Sequence, residues 1–314
     1  MPGRTRWRCA ATSVHKRGVR AALRYGVPWR ALLIHAASIV FILWIVLPFA
    51  WVVLTSLMTE AESMSVPPHW IPDYVTFDNY LSFINPALLV GKQRLVGGGA
   101  AVGAARAMLN SSIVALSVAI LNMIIGSLVG YAFARLNFRG STTLLLVYLA
   151  TRMVPALAIM VSLYLVFQTL GLLDTLLALI LSYLTFTVPY SVWIMASYFR
   201  SIPRDLEDAA RVDRCNWINM MLRVFLPVAS PGLVACAMFA FMSSWGEFLY
   251  ALLFTSTMNS KTMPIIIASF VTDVDTSPVL MNAGGVLAVI PPLVLALIFQ
   301  RLIVSGITAG AVKG

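Results

Sequence analysis

Six apolar stretches, each long enough to cross a hydrocarbon core of about 30 Å, leave this chain few folds to choose from. They are expected at 32–54, 112–134, 143–170, 176–199, 232–254 and 283–304. Inside lipid the backbone must satisfy its own hydrogen bonds, which leaves helices or a closed barrel. A barrel alternates polarity in segments of about ten residues, and these runs do not alternate. The expected fold class is all-α and integral to a membrane, with six transmembrane helices. Composition agrees: 60% of the 314 residues are hydrophobic and 11% charged, where a soluble domain carries about 25% charged.

Orientation follows from Lys and Arg, which favour the cytoplasmic side of short loops. The N-terminal arm, the second and fourth connections and the C-terminal end together hold seventeen of them, from Arg4 to Lys313. Lys92, Arg94, Arg106 and Lys261 are four on the other side, and Arg152 lies within a span. Both termini are therefore expected in the cytoplasm. The domain reading is a basic arm at 1–31, a six-span domain at 32–304 and a tail at 305–314. The arm resembles the basic start of a secretory signal. The apolar run after it exceeds the usual length of about 7–15 residues and lacks a small-residue cleavage site, so it reads as a retained span. No nucleic-acid partner is expected, since the arm has no folded scaffold or stacking aromatics. Cys9, Cys215 and Cys236 are too scattered for a disulfide framework or a zinc site.

The connections differ in character. The first, 55–111, holds Pro67, Pro68, Pro72, Pro86 and the Gly97-Gly98-Gly99 run, and reads as irregular. No strand precedes those glycines and no Gly-Lys-Ser/Thr follows, so they are not a phosphate cradle. The third, 171–175, reads as a tight turn. The fifth, 256–281, is longer and holds Pro264, Asp273 and Asp275. His15, His35 and His69 are dispersed, and neither a Gly-x-Ser-x-Gly elbow nor an internal repeat is evident. The chain is not expected to be an enzyme, and energy for any transport must come from a partner or an ion gradient.

The fourth connection, 201–231, is the exception to this oily composition. It reads I-P-R-D-L-E-D-A-A-R-V-D-R-C-N-W-I-N-M-M-L-R-V-F-L-P. Ser201 can cap a helix, and Pro203 is tolerated in a first turn. Asp205, Glu207 and Asp208 then sit where the helix dipole favours negative charge. Leu206, Ala209 and Ala210 share one face. The pattern falters at Asp213-Arg214 and resumes with Trp217, Met220, Met221, Val224 and Phe225 as one stripe. Pro227 and Pro231 are expected to end it. Two short helices with a bend result. The second is expected to bury its stripe under the spans, and Ile218 and Leu222 lie off that stripe with little charge beside them. The first, small-faced and acid-rimmed, suits insertion into a groove on another protein.

Asp-Ala-Ala-Arg-Val-Asp-Arg-Cys at 208–215, followed by Phe-Leu-Pro, resembles the E-A-A-x-x-D-G-A…P loop of ATP-binding-cassette importer permeases. Phe77-Asp78-Asn79-Tyr80, Arg152-Met153-Val154-Pro155 and Trp245-Gly246-Glu247-Phe248 resemble further family elements. The ending 305–314 is similar to the tail of the maltose-type permeases, specifically their smaller membrane subunit. The resemblance implies a permease half of a carbohydrate importer in a bacterial inner membrane. It implies a second, non-identical permease subunit, two ATPase subunits that bind ATP and Mg, and an extracytoplasmic solute-binding protein that touches the 256–281 loop. No cofactor is implied in this chain. By resemblance, Asp205, Glu207, Asp208, Ala209, Ala210, Asp213 and Arg214 form the element that couples to the ATPase. Two departures stand out: Asp208 replaces the usual Glu, and Arg214 the usual Gly. If that position needs φ > 0, Arg214 costs roughly 1 kcal/mol or more. Either the bend is built differently or Arg214 adds a salt contact to the partner.

Within the spans, Arg152 and Glu247 are costly, each about 2.5–3.5 kcal/mol at a helix centre on insertion scales. They either neutralise one another or border a solute path. Ser243, Glu247 and Tyr250 can share one face. Tyr183 and Tyr190 lie seven apart beside Pro189, where a kink is expected, and Pro291-Pro292 should bend the last span. These six residues are the substrate-pathway candidates. The competing function is a self-contained secondary transporter or channel, which would carry ionisable relays in several spans; a membrane enzyme lacks any catalytic cluster.

Overall fold

The computed structural model describes residues 29–85, 98–136, 138–271 and 276–311. The basic arm expected at 1–31 therefore lies almost wholly outside the described residues, as do Cys9, Gly97, Asp273 and Asp275. The described residues are helical, and among them the one strand-like contact is an isolated bridge between Val271 and Thr276. It divides into two compact units, Met1–Trp51 and Val52–Gly314. In the first, the helix α1 (Trp29–Ser56) begins and is apolar all round, with Leu33, Phe41, Trp44 and Leu47 exposed.

The second unit is built on α2 (Gly98–Arg135), α5 (Leu176–Ser201) and α8 (Ser230–Trp245). At about 1.5 Å per residue α2 is some 57 Å long, well beyond a hydrocarbon core. It starts fourteen residues before the expected span, so the end of the supposedly irregular first connection is helix. Four helices are long and apolar enough to cross a membrane, and up to six spans result if each bent pair counts as one.

The continuous third span expected at 143–170 is broken. Here α3 (Ser141–Ala150) and α4 (Ala156–Thr169) meet at 89°. The cause is local: Pro155 has no N–H to donate, and the residue before a proline is pushed out of helical conformation. Val154 accordingly has ψ 128°. The expected fifth span is broken too, at Gly246-Glu247-Phe248 between α8 and α9 (Leu249–Phe254). The 256–281 connection contains a further helix, α10 (Met263–Ala268), and the last helix, α11, runs unbroken through Pro291 and Pro292 from Pro278 to Ala311. The C-terminal tail expected from residue 305 continues that helix, with 312–314 outside the described residues.

Close helix approach explains the α2–α5 pairing. A Cβ on Gly130 would lie 2.8 Å from the Cβ of Met195 and 2.9 Å from the backbone nitrogen of Ala196. Small residues let backbones meet in lipid, where dispersion rather than water exclusion drives packing. A buried polar knot fixes the register. Asn122 donates to Thr187 Oγ1 at 2.8 Å, and Ser191 donates to Asn122 Oδ1 at 2.7 Å. Each polar group is thereby partnered, which a low-dielectric interior demands.

Candidate functional site

The charged loop folds as α6 (Arg204–Val212) and α7 (Trp217–Val228). Ser201 does not cap α6; it is the last residue of α5, and Pro203 stands at the cap position without a side-chain bond. The bend follows a Schellman pattern, in which orphan carbonyls at a helix end are recaptured by a left-handed residue. Arg214 has φ 53°, its N–H bonds the Arg211 carbonyl at 3.0 Å, and the Cys215 N–H bonds the Ala210 carbonyl at 3.0 Å. So the position that resembles a family glycine does need φ > 0, and Arg214 adopts it. α7 starts on a cap the sequence reading missed, Asn216 Oδ1 accepting from the Asn219 N–H at 2.8 Å. Pro227 does not end it. A π-helical turn at Met221–Phe225 precedes Leu226–Val228, and Pro231 opens α8 across an 81° bend.

Burial divides the predicted coupling residues. Asp205, Asp208, Ala209, Asp213 and Arg214 are exposed, while Glu207 and Ala210 turn inward. Ala210 packs among Met195, Phe199, Met220 and Phe225, so Ala209 and Ala210 do not present one common small face. Glu207 accepts from Arg211 at 2.6 Å and from the Tyr131 hydroxyl at 3.4 Å, and pairs with Arg135 Nε at 3.8 Å. Of the α7 stripe, Met220, Met221 and Phe225 are buried, Val224 is half-buried and Trp217 stays 47% exposed. Ile218 and Leu222, off that stripe, are both exposed among the described residues.

The second feature is a cavity of about 470 Å³ at the broken third span, lined by Arg152, Thr185, Phe186, Glu247 and Tyr250 among others. Three of the six pathway candidates thus converge. Arg152, in the 3-10 turn at Thr151–Met153, donates to the Phe186 carbonyl and lies over that residue's ring at 5.8 Å. Glu247 closes the other break by accepting the Tyr250 N–H at 3.0 Å and the Ala251 N–H at 3.2 Å, the first-turn donors of α9. Each ion therefore has its own partner rather than the other. Tyr183 is fully buried behind the cavity, edge-on to Tyr250 at 6.4 Å. Tyr190 does not reach it; its ring packs on Phe239 at 4.2 Å and Trp193 at 5.5 Å. Ser243, half-buried, is not among the lining residues. Thr185 and Phe186 were missed, and their only sequence signal is proximity to Pro189.

At the end of the unit away from the charged loop, Asp174 organises two connections. Its carboxylate accepts from the Ser256 N–H at 2.8 Å, the Thr257 N–H at 3.0 Å, the Thr257 hydroxyl at 2.7 Å and the Ser260 hydroxyl. Partial burial works to raise the pKa of this carboxyl. The hydrogen bonds from Ser260, Thr257 and Ser256 outweigh it and hold the group well below its usual value.

Comparison with known proteins agrees with these features. The family described as "Binding-protein-dependent transport system inner membrane component" matches residues 122–309. The sulfoquinovosyl glycerol transport system permease protein SmoH of Agrobacterium fabrum is 34% identical over 85% of this chain and 88% of its own. The trehalose/maltose transport system permease protein MalG of Thermococcus litoralis is 32% identical over 93% of this chain and 100% of its own. Among solved structures, a bacterial ABC transporter involved in import of the acidic polysaccharide alginate superposes with TM-score 0.62 at 18% identity, covering 88% of this chain and 98% of that one; this likeness concerns the fold. With helical spans, a charged loop between α5 and α8 and a family match that contains both, the chain belongs to the inner membrane components of binding-protein-dependent transport systems.

Proposed function

We propose that this chain is one of two non-identical permease subunits of a bacterial ATP-binding-cassette importer, supplying half of the path for a sugar or sugar-like solute. It crosses the inner membrane six times with both termini in the cytoplasm. Two ATPase subunits hold ATP and Mg, and a solute-binding protein delivers cargo from outside. The observation that carries this reading is α6, whose inner face is fastened to its own bundle while Asp205, Asp208 and Ala209 remain exposed beside an acidic rim. A short helix held from behind and presented at its front is suited to a groove on a partner. Asp213 and Arg214 set its angle, and Glu207 and Ala210 hold it. Arg152, Thr185, Glu247 and the rings of Phe186 and Tyr250 combine hydrogen-bonding groups with aromatic faces, the chemistry a sugar ring requires. Relatives named for trehalose, maltose and sulfoquinovosyl glycerol support a glycoside as cargo.

The test is reconstitution with the ATPase and second permease subunit, using trehalose and maltose as first solutes. Asp208→Lys should abolish solute-stimulated ATP hydrolysis while the chain still inserts in the membrane. Vesicles that accumulate solute with this chain alone, without ATP, would instead establish a secondary transporter.

A further inference from the structure

Arg135 ends α2, and three contacts converge on its side chain. The guanidinium donates to the Ile202 carbonyl at 2.6 Å, where α5 hands over to the charged loop. Its Nε faces Glu207 Oε2 on α6 at 3.8 Å, and its Cζ lies over the Phe225 ring of α7 at 5.3 Å. One turn earlier on α2, Tyr131 donates to the same Glu207 carboxylate and is edge-on to Phe199, Phe225 and Trp217 at 5.0–6.0 Å. The pair is sealed from water: the Arg135 side chain is 4% exposed and that of Glu207 10%. By contrast Arg211, the other cation on Glu207, is 65% exposed.

A surface ion pair would be screened and weak, whereas opening a buried one strips a partner from two charges already taken out of water. Glu207 thus faces two α2 side chains, Arg135 and Tyr131, from inside the bundle, whereas Asp205 and Asp208 on the same helix are exposed. We infer that Arg135 is a positioning residue that makes α6 and the end of α2 move as one body, so that force on α6 reaches α2 through the Arg135–Glu207 pair. α2 is the helix packed most closely on α5 and α8, at Gly130 and at the Asn122 knot. A displacement delivered to its end is passed to the spans that border the cavity. This inference rests on the proposed docking of an ATPase at α6.

The experiment is hydrogen–deuterium exchange on the complex reconstituted with its ATPase in nanodiscs, with and without MgATP plus vanadate. In the wild type, nucleotide should alter exchange both at 204–212 and at 126–136. In Arg135→Gln and Glu207→Gln, the effect at 204–212 should persist while that at 126–136 falls roughly fivefold or more, within the usual range of coupling between sites. Arg135→Lys, which keeps the charge, should retain most of the transmitted effect. An unchanged nucleotide effect at 126–136 in Arg135→Gln overturns the inference and leaves the docking reading intact. If Arg135→Gln does not assemble, Glu207→Gln decides, since it removes the same ion pair from the α6 side: a reduced effect at 126–136 supports the inference and full transmission overturns it. No nucleotide effect at 204–212 in the wild type would overturn both readings.

Discussion

Arg214 and Asp174 are the two non-glycine residues with positive φ among the described residues, at 53° and 62°. They hold it for different reasons. Asp174 is compensated, because its carboxylate collects donors from the connection opposite, whereas Arg214 is exposed and gains only the backbone bonds any residue there would make. Arg214→Gly should therefore stabilise the chain by up to about 1 kcal/mol, the left-handed penalty less the entropy of glycine, read as a rise in thermal midpoint without a change in coupling. Asp174→Asn should cost roughly 1–2 kcal/mol, since bonds to an ionised acceptor are worth more than neutral ones. Because its folded pKa is depressed, the Asp174 contribution is complete above its usual value of 3.8 and is lost as pH falls through the lower folded value. Limited proteolysis of 256–262 should thus distinguish wild type from Asp174→Asn at pH 7, and the two should converge in strong acid. Arg214 was legible as a departure from a glycine pattern. Asp174 was not, because nothing local to a tight turn tells which distant backbone will come to it.

Among the elements, existence was easier to foresee than continuity. Four of the expected spans stand as helices long and apolar enough to cross a membrane, while the other two are broken at short motifs, Arg152-Met153-Val154-Pro155 and Trp245-Gly246-Glu247-Phe248. Hydropathy averaged over a whole span does not register a break of three or four residues; Pro155 and the in-span charges Arg152 and Glu247 were the available signals. A third motif also marks a joint, since Asn79 donates to the carbonyls of Ser56 and Met58 at 2.9 and 2.8 Å and Tyr80 meets the Ser56 hydroxyl at 2.5 Å. The α2–α5 seam was written openly as Gly126-Ser-Leu-Val-Gly130, a small-xxx-small spacing. Gly130→Ala should push the backbones apart and cost about 1–3 kcal/mol, as overpacking does, because its new methyl meets the Ala196 backbone rather than a yielding side-chain tip. Denaturation of the detergent-solubilised chain would check it. The inward turn of Glu207 could not be read from a helical wheel, since it depends on where Arg135, seventy-two residues earlier, ends its own helix.

For the molecule as a whole, the exposed apolar faces of α1 and α11 and the uncovered Ile218 and Leu222 are what lipid and partner subunits have to cover. The broken third span carries a sharper implication. The break at Val154-Pro155 cannot rest against hydrocarbon tails, because within a bilayer irregular backbone survives only against protein or water. Where water rather than protein covers the notch, it is hydrated from one bath, and a hydrated notch concentrates the transmembrane voltage across whatever thin septum remains. Tightness against leaking protons then falls to the few side chains that shut on the opposite bath, so a permease of this shape is insulated by its closure and not by its thickness.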